Sequence, residues 1–158
     1  MSRSRNFSYL ILIAVTAVLA FAFDQWTKHI VLANFMPGES RIVVDHLLKW
    51  TYEQNFHGAF GMFGSNPVLL IGMGVIVLAF FWFSYREAAQ TSRLVCVAFG
   101  LIVGGAIGNI VDRLHFGYVV DFIDFYRIWP NIFNIGDSCI TAGVILLLLK
   151  TLASRRRA

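Results

Sequence analysis

Apolar residues run through this chain in long blocks separated by short polar stretches. Four blocks, roughly residues 6–32, 67–85, 94–114 and 131–152, are long enough to cross a hydrocarbon layer of about 30 Å, which takes about 20 helical residues. The pattern predicts an all-α membrane protein with four transmembrane helices. Between the first two blocks the period changes: Pro37-Gly38 marks a turn, Arg41 to Val44 is β-prone, and Leu48, Trp50 and Tyr52 alternate with Lys49, Thr51 and Glu53. Alternation with period 2 is the mark of a half-buried strand. A small extracytoplasmic β-sheet is therefore expected between helices 1 and 2, its aromatic face at headgroup depth, where Trp and Tyr are favoured. Ahead of the fourth block, "LHFGYVVDFIDFYRIWPNIF" mixes aromatic and branched residues with charges, the pattern of an interfacial segment that re-enters the membrane. Residues 1–158 are expected to form a single four-span domain, with the β subdomain over about 34–66 and the interfacial segment over about 115–131.

Finer signals sharpen the outline. Pro67 suits the first position of the second helix, where its missing N–H costs no hydrogen bond. Gly100, Gly104 and Gly108 recur every four residues, which bares one helix face for close packing against a neighbour. The fragment "GGAIGN" lacks the preceding strand that a dinucleotide-binding loop requires. The first block has a signal-peptide look, with Arg3 and Arg5 before it and Ala20-Phe21-Ala22 imitating a cleavage site, but bulky Phe21 and Phe23 crowd that site, so the helix is expected to be retained.

Composition agrees: 58% of residues are hydrophobic and 14% charged, which excludes an ordinary soluble domain. The net charge of +4 comes without a basic patch interleaved with exposed aromatics, so no nucleic-acid partner is expected. Instead Arg3, Arg5, Arg86, Arg93, Lys150 and Arg155 to Arg157 fall at one set of helix ends, which predicts that both termini are cytoplasmic. Eight of the nine acidic residues, all but Glu87, lie toward the opposite side. Cys96 and Cys139 fall inside the third and fourth blocks with no metal or redox spacing, and read as small buried apolar residues.

The chemistry must come from the polar residues that interrupt the apolar blocks. Asp24 and Lys28 are spaced i, i+4, the favoured order for a helical ion pair. Asn109, Asp112 and Arg113 share one face at the end of the third block and must turn toward protein or water, since lipid offers them no partner. Asp137 interrupts a charge-free run from Ile128 to Leu149, and an intramembrane carboxylate is a functional candidate by default; with the fourth helix starting near Asn131 it would sit about two turns inside. Its partner could be Arg113, Asp121 or Asp124. A pair of carboxylates sharing one site cannot both ionise cheaply, so one would keep its proton while the other acts as a base, the arrangement of an aspartic protease. Neither a metal nor another cofactor is expected: His29, His46, His57 and His115 form no H-E-x-x-H and no i, i+4 pair. Ser138 lacks a nucleophile elbow.

At this point the residues resemble the bacterial lipoprotein signal peptidases, the signal peptidase II family of four-span aspartic proteases. "FDQWTK" (23–28), "NFHGAFGMF" (55–63), "GGAIGNIVDR" (104–113), "VVDF" (119–122) and "FNIGDS" (133–138) stand in the family's order and span most of the chain. The resemblance implies that Asp121 and Asp137 are catalytic and that Asp24, Lys28, Asn55, Asn109, Asp112, Arg113 and Asn134 support the site, leaving Asp124 a bystander. It implies a diacylglyceryl-modified prolipoprotein substrate cut before the lipidated cysteine, membrane lipid as surroundings, a monomer, and a bacterial cytoplasmic (inner) membrane location with the active site near the outer face. The chain departs from the family at His57, where a glycine is usual; Gly58, one residue later, could take over a turn that needs positive φ. Two other readings compete: a small proton-coupled transporter, which would spread polar groups over several depths, and a binder of lipidated signal helices that does not cut them.

Overall fold

The computed structural model describes residues 2–58, 66–89 and 92–155. Residues 59–63 of the second motif, Gln90 and Thr91 of the loop after the second helix, and the C-terminal Arg156 and Arg157 lie outside the described residues. The elements run α1 (Ser2–Asn34), β1 (Ser40–Val44), β2 (Leu48–Asn55), α2 (Pro67–Ala89), α3 (Arg93–Phe116), β3 (Val119–Asp124), β4 (Ile132–Phe133) and α4 (Ile135–Arg155). All four helices are long and apolar enough to cross a membrane.

Helix α3 is the axis of the bundle, with most of its apolar stretch buried, and it packs against α1, α2 and α4. Its glycines explain how. A Cβ on Gly104 would fall on Ala17 O of α1, one on Gly108 on the Asp24 carboxylate, and one on Gly105 on Gly136 O of α4. Only bare backbone lets three helices meet at these depths. Toward the far end of the bundle, Val95, Cys96, Phe99, Ile102 and Leu147 form an apolar core. The helix stops at Gly117, whose left-handed φ of 81° lets its N–H return to Arg113 O, a C-terminal cap that few other residues accept.

Chain leaving this cap enters a sheet of order β1-β2-β3-β4, antiparallel throughout. The strand pair between helices 1 and 2 is as expected. The stretch anticipated as an interfacial segment does more, supplying β3 and β4, and β3 lies in the middle of the sheet beside β2 with Asn55 opposite Val119 and Glu53 opposite Asp121. Tyr52, Val120 and Phe122 seat the sheet on Val31 and Phe35 at the end of α1. The simple alternation expected along β2 is broken: Thr51 and Tyr52 are both buried and Trp50 is exposed, because the register shifts between Trp50 and Glu53.

The start of α4 needs a correction. It begins at Ile135, so Asp137 lies in the first turn rather than two turns inside. Ile132 and Phe133 are held extended by pairing with β3, and Asn134 then caps the helix: its Oδ1 accepts the Asp137 N–H at 2.8 Å while Asp137 Oδ2 accepts the Asn134 N–H at 3.3 Å. This is a reciprocal capping box with an Asn-x-x-Asp sequence.

Candidate active site

The site is built in two polar layers at the sheet end of the bundle. In the lower layer Lys28 is only 2% exposed and Asp24 and Asp112 are 0% and 1%. The Lys28 ammonium meets Asp24 Oδ2 at 2.8 Å, Asp112 Oδ2 at 2.9 Å and Asn109 Oδ1 at 2.9 Å. Three acceptors use its three protons. The remaining carboxylate oxygens are occupied as well: Asp24 Oδ1 accepts the Gly136 N–H at 2.7 Å, and Asp112 Oδ1 accepts Gln25 Nε2 at 3.0 Å. Val120 N–H also donates to Asp112 Oδ2 at 3.1 Å. The expected Asp24–Lys28 pair is thus half of a fully bonded cluster that ties α1 to α3, β3 and the start of α4. Buried charges survive only with such complete pairing, and removal of one partner from a buried pair costs about 3–5 kcal/mol.

Three asparagines make the upper layer. Asn109 Nδ2 donates to Asp137 Oδ1 at 2.8 Å. Asn134 Nδ2 donates to Asn109 Oδ1 at 3.1 Å and to Asp121 Oδ1 at 2.6 Å. Asn55 Nδ2 donates to Asp121 Oδ2 at 2.8 Å, and its Oδ1 accepts the N–H groups of His57 and Gly58 at 3.1 and 2.9 Å. Neutral amides therefore link the two aspartates to each other and to the ion cluster below.

Gly58 has φ 73° and His57 is not among the positive-φ residues, so the glycine-demanding turn is met one residue after the position where the family usually has it. A Cβ on Gly58 would also lie 2.8 Å from Leu70 Cδ2. His57 thus takes no left-handed backbone, and Asn55 Oδ1 holds the turn through the N–H groups of His57 and Gly58.

Asp121 and Asp137 both line a cavity of about 670 Å³, together with Asn55, Asn109 and Arg113. Burial, and next the charge of Asp137, push Asp121 up to about 8, against the pull of the Asn55 and Asn134 amides. Arg113 sends Nη1 to Asn109 O at 3.3 Å, while its buried Nε has no hydrogen-bond acceptor among the described residues. Arg113 itself is one of the residues that line the open cavity. A smaller apolar cavity of about 200 Å³, walled by Leu70, Met73 and Val77 of α2 and by Ile102 and Ala106 of α3, shares Gly58, Arg113 and Ile140 with the first.

Of the three partners weighed for Asp137, Asp121 faces the same cavity, and Arg113 lines it without an ion pair to Asp137 among the described residues. Asp124 is three residues along the strand from Asp121, on the opposite face, where its Oδ2 accepts the Thr51 hydroxyl at 2.8 Å. Ser138 donates its hydroxyl to Asn134 O at 2.9 Å and does not wall the cavity. Two participants escaped the sequence reading, Gln25 and the Gly136 N–H. Gln25 stands inside the "DQxxK" motif, and only the tertiary approach of α1 to α3 reveals its use.

Four helices of membrane-crossing length, with two carboxylates lining one cavity at the sheet end, have the make-up of an integral-membrane enzyme. The profile of the Signal peptidase (SPase) II family matches residues 16–153, and the chain belongs to that family. It is 40% identical over 131 residues to the lipoprotein signal peptidase of Moorella thermoacetica, covering 83% of this chain and 86% of that protein. With the lipoprotein signal peptidase of Halothermothrix orenii it shares 37% identity over 138 residues, 87% of this chain and 93% of the other. Among solved structures, a bacterial membrane enzyme determined by the in meso method at 2.3 Å resolution superposes with a TM-score of 0.82 at 34% identity, over 90% of this chain and 88% of that one. The protein is a multi-pass membrane peptidase.

Proposed function

We propose that this protein removes signal peptides from diacylglyceryl-modified prolipoproteins, cutting before the lipidated cysteine, with Asp121 and Asp137 as the catalytic pair. The observation that carries the assignment is the shared cavity of these two side chains, each held by asparagine amides. One carboxylate is ionised and takes a proton from water as the oxygen attacks the carbonyl carbon preceding the cysteine. The other, protonated, donates a hydrogen bond to the developing oxyanion. When the C–N bond breaks, a proton passes to the leaving amine and the pair returns to its shared-proton state. The raised Asp121 fits such a pair at neutral pH. No covalent intermediate forms.

Asp24, Lys28 and Asp112 support the site from below, Asn55, Asn109 and Asn134 orient the carboxylates, and Arg113 offers its Nε–H, which has no acceptor among the described residues, to a substrate carbonyl. The apolar cavity between α2 and α3 has the chemistry to take an acyl chain, worth about 0.8 kcal/mol per buried CH₂. We further propose a bacterial cytoplasmic membrane location with both termini cytoplasmic, the sheet end facing outward, and a monomer working within one lipid bilayer. Basic residues at the ends opposite the sheet favour this orientation.

A proton-coupled transporter would need polar groups at several depths; the bonded polar cluster here gathers at the sheet end, and the far end is packed with apolar side chains. A non-cleaving binder drew its motive from His57, and the positive φ that falls on Gly58 instead supports the cleaving reading. The test is a gel-shift cleavage assay in detergent micelles, using a diacylglyceryl-modified prolipoprotein with wild type, Asp121→Asn and Asp137→Asn. Cleavage by wild type and its loss in both variants, with substrate binding kept, is expected; binding without cleavage by wild type would overturn the assignment.

A further inference from the structure

We propose that Glu53 reads the charge of the residue that follows the lipidated cysteine, favouring a cationic side chain there and disfavouring an acidic one. This rests on the peptidase reading above. Glu53 and Asp121 are register partners on β2 and β3, so their side chains leave the sheet on the same face, with Cβ atoms about 4.5–5.5 Å apart. Both wall the same cavity, but Asp121 is 1% exposed while Glu53 stands open at the rim. Asp24, Glu39, Asp45 and Asp112 each have an ion-pair partner; Glu53 has none among the described residues. The other charged or titratable groups on the cavity wall are Arg113, across from the strand on α3, His57 on the same rim, and the aspartates themselves.

The cavity wall is not uniform. Glu53, Gln54 and His57, at and just after the end of β2, are polar, whereas Ile132 and Phe133 of β4 and Ile140 of α4 supply an apolar stretch, flanked by Asn131 and Thr141. A prolipoprotein changes character at the cut, from the apolar signal segment to the polar mature chain. Matching the two puts the signal side along β4 and α4 and the mature side along β2. Successive Cα atoms are about 3.8 Å apart, so a scissile carbonyl held at Asp121 sets the residue after the cysteine about two Cα steps away, beside Glu53. Across a water-wetted rim such a charge contact is worth a modest factor, about three- to tenfold.

The experiment uses purified full-length protein at low salt, with three diacylglyceryl-modified prolipoproteins identical except for Lys, Ser or Asp after the cysteine. Wild type is expected to give kcat/KM in the order Lys, Ser, Asp, with about three- to tenfold between the extremes, and high salt should flatten the series. Glu53→Gln should compress it to within about twofold, and Glu53→Lys should invert it. Equal rates on all three substrates for wild type, an unchanged order in Glu53→Gln, or a uniform slowing without compression would each overturn the proposal. Failure of the peptidase reading is separate: wild type would cut none of the three, or Asp121→Asn would still cut them.

Discussion

Burial beside a second carboxylate, that of Asp137, pushes the Asp121 carboxyl well above the usual carboxylate range. An unfolded Asp titrates near 3.9, whereas burial and the neighbouring Asp137 carry the folded group to about 8. The stability tied to this protonation is fully present below the unfolded value and is lost as pH rises through the folded one, because the unfolded chain gains by ionising first. Asp121→Asn has no proton to lose. Its melting temperature in detergent should therefore fall less between about pH 5 and pH 8 than that of wild type. Its absolute value should be lower, since one of the amide donors from Asn55 and Asn134 would then face an N–H₂ group. Parallel pH curves for the two proteins would contradict this account. Residue by residue, local spacing made some of the site legible: four residues on one helix paired Asp24 with Lys28. The choice between Asp121 and Asp124 was beyond reach, because opposite faces have meaning only once the segment is known to be a strand.

At the scale of elements, hydropathy found the four helices, and Pro67 marked the start of α2 to the residue. The strands β3 and β4 were hidden because β3 pairs with β2, 64 to 75 residues earlier in the chain, and a strand that completes a sheet has no local signature apart from its partner. The α4 boundary was misjudged for a related reason: Ile132 and Phe133 are apolar enough for a helix, and tertiary pairing decides against it. Helix contacts carry their own prediction. Gly105 lets α3 meet the first turn of α4, which bears Asp137, and a Cβ there would strike Gly136 O. Gly105→Ala should cost about 1–3 kcal/mol and depress turnover by displacing that turn, read as a lower melting temperature and a lower kcat. Gly72→Ala, with nothing near its added methyl, is the control and should be neutral or slightly stabilising.

Over the whole molecule, every acid but Glu87 among the described residues lies at the sheet end, where Lys28, Arg41, Lys49, Arg113 and Arg127 accompany them, while Arg93 and Lys150 lie at the other end. If the sheet end faces outward, a single cysteine at Asp45, in a background lacking Cys96 and Cys139, should react with a membrane-impermeant thiol reagent on intact spheroplasts. One at Arg93 should react only after permeabilisation; the reverse pattern would invert the orientation. The asparagine bridges have a consequence for inhibition. A compound that grips both aspartates touches carboxylates held by asparagine amides that already serve three partners each, so a substitution that loosens the compound also disturbs the catalytic geometry. Drug resistance arising there would carry a fitness penalty, and escape from such a compound is to be sought at Glu53 and His57, on the rim, where the side chains are not bound into the network.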